Sequence, residues 1–330
     1  MARVLVSSSF RDNSVEKDEV CRPSGAEDMG QESPVRTDPF FIVGMQRSGT
    51  TMLRLMLNAH RNLAVPFESD FIPRVYQNLC QYGDLSIREN AAACLGDISR
   101  QDKPKRGKLI EDPEAVLAHE IRNYADLVRA IFEEYAMRRG KPRWGDKTPT
   151  HVLDLDLLWN LFPSCRVIHV VRDGRDVALS LLAMEWGSNN LLKIADDWRL
   201  KTVLGHKMGA FLGKQYLEIR YEDLVLHPEE NLRRICDFLG EPFDENMLDY
   251  HKSAQSEMPS DSLKWHGTSV SRPDPKKIGM WKSKMSMSDR ILFEQVAGVE
   301  LQMFGYPREA LSPTIRSKIK KVYYCLWNRY

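Results

Sequence analysis

No stretch of this 330-residue chain is apolar for long enough to cross a bilayer as a helix. An excess of one charge is missing too. Forty-seven Lys and Arg face 46 Asp and Glu, a formal net charge of +1, and nothing in that balance points to nucleic acid as a partner. The six cysteines, Cys21, Cys80, Cys94, Cys165, Cys236 and Cys325, lack the spacing of a metal cluster or a disulfide framework. The N-terminus lacks the apolar core of a secretory signal. These absences together give the expectation of a cytoplasmic protein with reduced thiols and no bound metal.

One more absence is local. Phe40-Phe41-Ile42-Val43-Gly44-Met45-Gln46-Arg47-Ser48-Gly49-Thr50-Thr51 has nearly the spacing of a phosphate-binding P-loop, G-x-x-x-x-G-K-[ST]. The lysine is missing: Thr50 stands in its place, and the fixed cation is Arg47, inside the loop. The apolar run before Gly44 predicts a strand buried on both faces. Gly44 and Gly49 let the backbone turn and approach a ligand. Ser48, Thr50 and Thr51 bring hydroxyls to the start of a helix whose free N–H groups and dipole favour an anion. Arg presents a planar fork to phosphate or sulfate, where Lys presents a point charge.

A second strand-to-helix turn follows at Arg166 to Ser180. Val167 to Val171 is β-branched, Asp173 is placed to cap a helix, Arg172 closes the strand, and Ser180 lies about two turns into the helix. In open α/β sheets ligands bind beyond the carboxyl ends of the strands. Two such turns imply a ligand with two separated anionic groups. Strands also alternate with helices further on, at Val152–Leu161, Asn189–Leu212, Tyr216–Arg220 and Pro228–Leu239. The predicted fold class is therefore α/β, a P-loop-type parallel sheet flanked by helices. Residues 70–137 read as a largely helical insert, an acceptor-side cap, interrupted by a basic loop at 102–108.

Three segments are expected. Residues 1–37 are polar and punctuated by Ser, Pro and Gly, and read as a disordered tail. Residues 38–310 form the domain. Residues 311–330 form a basic amphipathic C-terminal helix, with Ile315, Ile319, Val322 and Leu326 at helical spacing. This helix is expected to dock on the chain's own domain, with contact to an anionic membrane surface as the lesser reading.

Several blocks in order resemble the sulfotransferases that use 3′-phosphoadenosine 5′-phosphosulfate, over roughly residues 38–285. They are Arg47 to Thr51, Glu68 with Ile72-Pro73-Arg74, Gly145-Asp146-Lys147-Thr148-Pro149, Leu161-Phe162-Pro163, Val171 to Arg175 and Tyr221 to Pro228. The order is closer to the tyrosylprotein sulfotransferases and their bacterial relatives than to the cytosolic phenol and steroid enzymes. Golgi members of that family carry a membrane anchor and lumenal disulfides, and neither is visible here.

The resemblance implies that Arg47, Ser48, Gly49, Thr50 and Thr51 bind the 5′-phosphosulfate, and that Arg172 and Ser180 bind the 3′-phosphate. It adds Tyr221 and Lys277 as cofactor contacts, Glu68 as the base, Lys147 as the group stabilising the leaving oxygen, and Ser269 near the transition state. His60 and His151 are the rival bases. Two positions depart from the tyrosylprotein pattern: Met184 replaces an arginine near the 3′-phosphate, and Asp70 replaces an acceptor-binding arginine. Asp70 would repel an acidic tyrosine peptide. The expected acceptor is a hydroxyl on a small molecule, carbohydrate or lipid. A P-loop nucleotide kinase and a non-catalytic nucleotide-binding module stand as alternatives. The first lacks its lysine, and the second has no use for Glu68 and Lys147. Acceptor identity and oligomeric state are not legible in the sequence.

Overall fold

A computed structural model of the chain describes residues 38–101, 109–259, 264, 265, 267 and 269–327. The expected N-terminal tail and the basic loop at 102–108 lie outside the described residues.

In chain order the elements are β1 (Phe40–Gly44), α1 (Thr50–Asn58), β2 (Leu63–Ala64), α2 (Phe71–Tyr76), α3 (Arg88–Gln101), α4 (Pro113–Leu117) and α5 (Tyr124–Met137). Then come β3 (Arg143–Lys147), α6 (Leu155–Leu161), β4 (Arg166–Val171), α7 (Gly174–Leu182), α8 (Leu191–Leu212), β5 (Tyr216–Arg220), α9 (Tyr221–Leu226) and α10 (Pro228–Leu239). The chain closes with α11 (Trp281–Lys284), α12 (Met287–Met303) and α13 (Ile315–Trp327). The five strands form one sheet in the order β2-β3-β1-β4-β5, and every pairing is parallel. This is the expected α/β architecture.

The central strand, β1, is wholly buried, as its unbroken apolar run requires of a strand with helices on both faces. Its neighbour β3 reads Arg-Trp-Gly-Asp-Lys, yet is also buried throughout. Hydrophobic patterning does not find such a strand, and none is expected there from the sequence. The cations at its two ends, Arg143 and Lys147, each have named partners. The fully buried Arg143 donates to the carbonyl oxygens of Asp38 and Leu239 and pairs with Glu241 at 3.2 Å. Gly145 lies opposite Phe40, and a Cβ there would sit 2.4 Å from the Phe40 ring. The glycine lets the polar strand lie against the aromatic one.

Helices α2 to α5 pack on one face of the sheet around Phe41, Trp144 and Phe162. Phe132 stacks on Trp144 with ring centroids 4.6 Å apart. Where one helix was expected over Val152–Leu161, a 3₁₀ turn at Pro149–Leu153 precedes the shorter α6. Tyr221, expected to end β5, instead begins α9.

Because all five strands run the same way, their carboxyl ends share one edge. Read across the sheet, that edge presents the segment after β2 with Glu68, then Lys147 of β3, the loop after β1, Arg172 after β4 and Tyr221 after β5. Residues far apart in sequence stand side by side there because the strand order, not the chain order, sets the row.

Candidate active site

The loop after β1 enters α1 through Gly49, in the left-handed region at φ 93°, and no side chain caps the helix. A Cβ on Gly49 would lie 2.3 Å from the Tyr221 ring. The N–H groups of the first turn thus open onto a small cavity walled by Arg47, Gly49, Thr50, Thr51, Tyr221 and Ser269. Ser48 is buried, and its hydroxyl has no hydrogen-bond partner among the described residues. Arg47 holds φ 71°, a strained conformation for a side-chain-bearing residue that is tolerated where surroundings enforce it.

Arg47 donates from Nε to the Ser180 hydroxyl at 2.9 Å and from a terminal nitrogen to the Trp265 carbonyl oxygen at 3.0 Å. Arg172 donates to the carbonyl oxygens of Arg47 at 3.0 Å and Lys277 at 2.9 Å, and its guanidinium lies 4.3 Å from the Tyr221 ring centroid. Neither arginine has a carboxylate within ion-pair distance among the described residues. Burial, and then the Arg172 charge, lower the pKa of Arg47. Glu68 opposes that lowering from a longer range, and two half-buried cations that repel each other with no close ion pair are costly unless an anion joins them.

Beyond Arg47, a cavity of about 300 Å³ is walled by Arg172, Ser180, Tyr221, Lys277 and Lys284. Of the residues expected to hold the donor, all but the buried Ser48 wall this cavity or the smaller one beside it. The structure also adds one that sequence reasoning missed. Asp176, on the same cavity wall, accepts the backbone N–H groups of Gly279 at 2.7 Å and Trp281 at 2.9 Å. It ties the late loop carrying Lys277 to α7. Burial raises its pKa, while the two amides oppose that rise. The sequence offers no signal for this beyond an acid in the first turn of a helix, where acids are common.

On the other side of Arg47 lies a second cavity, of about 380 Å³, whose walls include Phe67, Glu68, Asp70, Thr150, Trp186 and Trp265. The helical insert contributes to these walls only through the segment leading into it, Phe67, Glu68 and Asp70, and not through α3, α4 or α5. The two tryptophans and Thr150 were not singled out by the sequence reading. Glu68 keeps a quarter of its side chain exposed, and its Oε1 is 2.6 Å from Nζ of the fully buried Lys147. That lysine also reaches Thr51 Oγ1 at 3.4 Å and lies 4.7 Å from the Phe67 ring centroid. Burial pulls its pKa down, with Glu68 pulling the other way. An exposed loop lysine would have none of these features.

The segment carrying Glu68 is held from beneath. Arg54 of α1 is fully buried and donates from Nε to the carbonyl oxygens of Val65 and Pro66, both at 3.0 Å. The rival histidines wall none of these cavities. His60 is fully buried, accepts the Asn62 N–H at 3.0 Å and donates to the Pro242 carbonyl oxygen at 2.8 Å. His151 is buried 3.1 Å from Asp146 and is not among the residues walling either cavity. Among the described residues no three His, Cys, Asp or Glu side chains come together as a metal site.

The fold and the cavities define a class: an α/β protein whose parallel sheet carries cavities walled by Arg47 and Arg172 at its carboxyl edge. A model of the sulfotransferase family matches residues 39–245, more than half of the 330, and the chain belongs to that family. It is 29% identical over 226 residues to protein-tyrosine sulfotransferase A of Caenorhabditis elegans, an alignment covering 66% of this chain and 54% of the worm protein. It is 27% identical over 220 residues to the protein-tyrosine sulfotransferase of Drosophila melanogaster, covering 64% of this chain and 40% of the fly protein. The chain thus spans about half the length of these curated relatives or less. Among solved structures, the sulfotransferase domain from the Synechococcus PCC 7002 olefin synthase superposes with a TM-score of 0.57 at 26% identity, over 83% of this chain and 98% of that domain.

Proposed function

We propose that this chain transfers the sulfuryl group of 3′-phosphoadenosine 5′-phosphosulfate to a hydroxyl acceptor. The observation that carries the reading is the pair Arg47 and Arg172, which share one cavity system with no carboxylate within ion-pair distance of either among the described residues. The donor supplies an activated sulfuryl group together with two anionic anchors. The uncapped start of α1, Ser48 and Arg47 suit the 5′ end, and Arg172, Ser180 and Lys277 suit the 3′-phosphate.

The residues between the cavities suit the chemistry. In this reading the acceptor hydroxyl gives its proton to the Glu68 carboxylate while its oxygen bonds to sulfur. The leaving phosphate oxygen takes up negative charge beside the Lys147 ammonium. Positioning and electrostatics then carry most of the rate, as in phosphoryl transfer. The Phe67, Trp186 and Trp265 walls favour an acceptor with an apolar or flat portion, whether a small molecule, a carbohydrate or a lipid. Asp70 on the same wall disfavours an acidic peptide.

Calorimetry with adenosine 3′,5′-bisphosphate tests the donor site. Arg47→Ala and Arg172→Ala should each weaken binding by about 1.5–3 kcal/mol, the range for a hydrogen bond to a charged group. Removing the 3′-phosphate from the ligand should hurt the wild type and make little further difference to Arg172→Ala. Unchanged affinity in either folded variant, or tighter binding of ATP with magnesium than of the bisphosphate, would overturn the reading in favour of a kinase-like or unrelated nucleotide site.

A further inference from the structure

Helix α13 sits on the body of the molecule by its polar edge. Ser317 and Tyr324 are buried, the Asn190 side chain donates to the Tyr324 carbonyl oxygen at 2.9 Å, and Lys320 Nζ lies 2.6 Å from Asp289. At about 100° per residue, Ser317, Lys320 and Tyr324 fall on one side of the helix. Ile315, Ile319, Val322 and Leu326 fall on the opposite side. They are exposed by 79%, 66%, 59% and 56% respectively. The helix thus lies against the chain's own domain, and the apolar stripe takes no part in that contact. Tyr324 and two polar groups make the docking, and the stripe faces outward.

The stripe has charged shoulders. By the same helical spacing Arg316 lies on one flank and Lys318 on the other, with Lys321 further round beyond Lys318, all three exposed. No Asp or Glu occurs anywhere between Leu311 and Tyr330, in a chain whose overall charge is only +1. An apolar stripe with cations on both flanks is the pattern of a helix that lies in the plane of a lipid–water interface. A two-fold contact between copies over the same stripe would set these cations against their own symmetry mates, which is unfavourable.

We propose that α13 is a docking helix for an anionic phospholipid surface: Ile315, Ile319, Val322 and Leu326 insert among the acyl chains, and Arg316, Lys318 and Lys321 meet the headgroups. This holds whether or not the donor site works as proposed above, because none of these side chains walls either cavity.

The test is co-sedimentation of the full chain with vesicles of phosphatidylcholine alone and of phosphatidylcholine with phosphatidylserine. The wild type should pellet with the anionic vesicles only, and less so as salt is raised. Lys318→Gln with Lys321→Gln should weaken binding by roughly 25-fold, at about fivefold per basic residue. Ile319→Asp should abolish it. All these side chains are exposed, so far-UV circular dichroism and melting temperature should match the wild type. If one variant fails to fold, the other still decides the matter. No pelleting with either vesicle, or equal pelleting with both, would overturn the proposal. So would a wild-type dimer in sedimentation velocity that Ile319→Asp dissolves without any vesicle binding, since the stripe would then cover a second copy.

Discussion

Lys147 has no exposed surface, and what burial does to its proton sets one limit of the reaction. A lysine that must be cationic to stabilise a leaving phosphate loses that ability when it deprotonates, and burial brings deprotonation below the ordinary 10.5. In the proposed mechanism kcat/KM for the donor should therefore fall on an alkaline limb whose apparent pKa lies below 10.5. Lys147→Arg should push that limb upward, because a guanidinium stays charged, at a cost in rate from its altered reach. A profile that stays flat to pH values well above the ordinary lysine pKa would remove Lys147 from its proposed role. The burial itself was not legible in the sequence. Lysines are rarely fully buried, and only the order of the flanking blocks marked this one. Glu68 was singled out the same way, whereas the backing given by Arg54, through two carbonyl oxygens ahead of Glu68, has no counterpart in any sequence pattern.

At the scale of elements, β1 and β4 are legible because an apolar run bounded by a glycine loop or a capped helix has few other solutions. β3 is not, because its side chains read as loop and its place depends on partners brought in from Asp38, Leu239 and Glu241. The late loop is the least legible. Its hold on the rest runs through backbone N–H groups, which carry no sequence mark. Two bonds from Gly279 and Trp281 to Asp176, and one from Arg172 to the Lys277 carbonyl, fix it over the donor cavity. Asp176→Ala should leave both amides unpaired. We expect a loss of stability of about 1–3 kcal/mol, faster hydrogen exchange at residues 279 and 281, and bisphosphate binding weaker by roughly tenfold, about 1.4 kcal/mol. Native exchange rates and native affinity in that variant would show that the loop is held by other means.

For the whole molecule, the decisive fact is the order β2-β3-β1-β4-β5. It lines up Glu68, Lys147, the Arg47 loop, Arg172 and Tyr221 along one edge, with the candidate acceptor cavity at the β2 and β3 end and the candidate donor cavity toward β4 and β5. Sequence alone marked the two strand-to-helix turns, but not the row, since strand order follows from packing between distant segments. It supplied the basic, amphipathic character of α13, yet not which side faces outward. That depends on Tyr324, Asn190 and Asp289 claiming the polar edge.

The central claim is that the edge of this sheet moves a sulfuryl group with Glu68 as base. Single-turnover transfer from radiolabelled 3′-phosphoadenosine 5′-phosphosulfate tests it most directly. Wild type and Glu68→Gln would be compared across a simple phenol, a long-chain alcohol and a monosaccharide. The wild type should label at least one of the three. The variant should bind adenosine 3′,5′-bisphosphate with unchanged affinity but transfer about 10²–10⁴-fold more slowly. A variant within a few-fold of the wild type would take Glu68 out of the mechanism, and a wild type that binds the donor but labels none of the acceptors would contradict the proposed transfer to such hydroxyls.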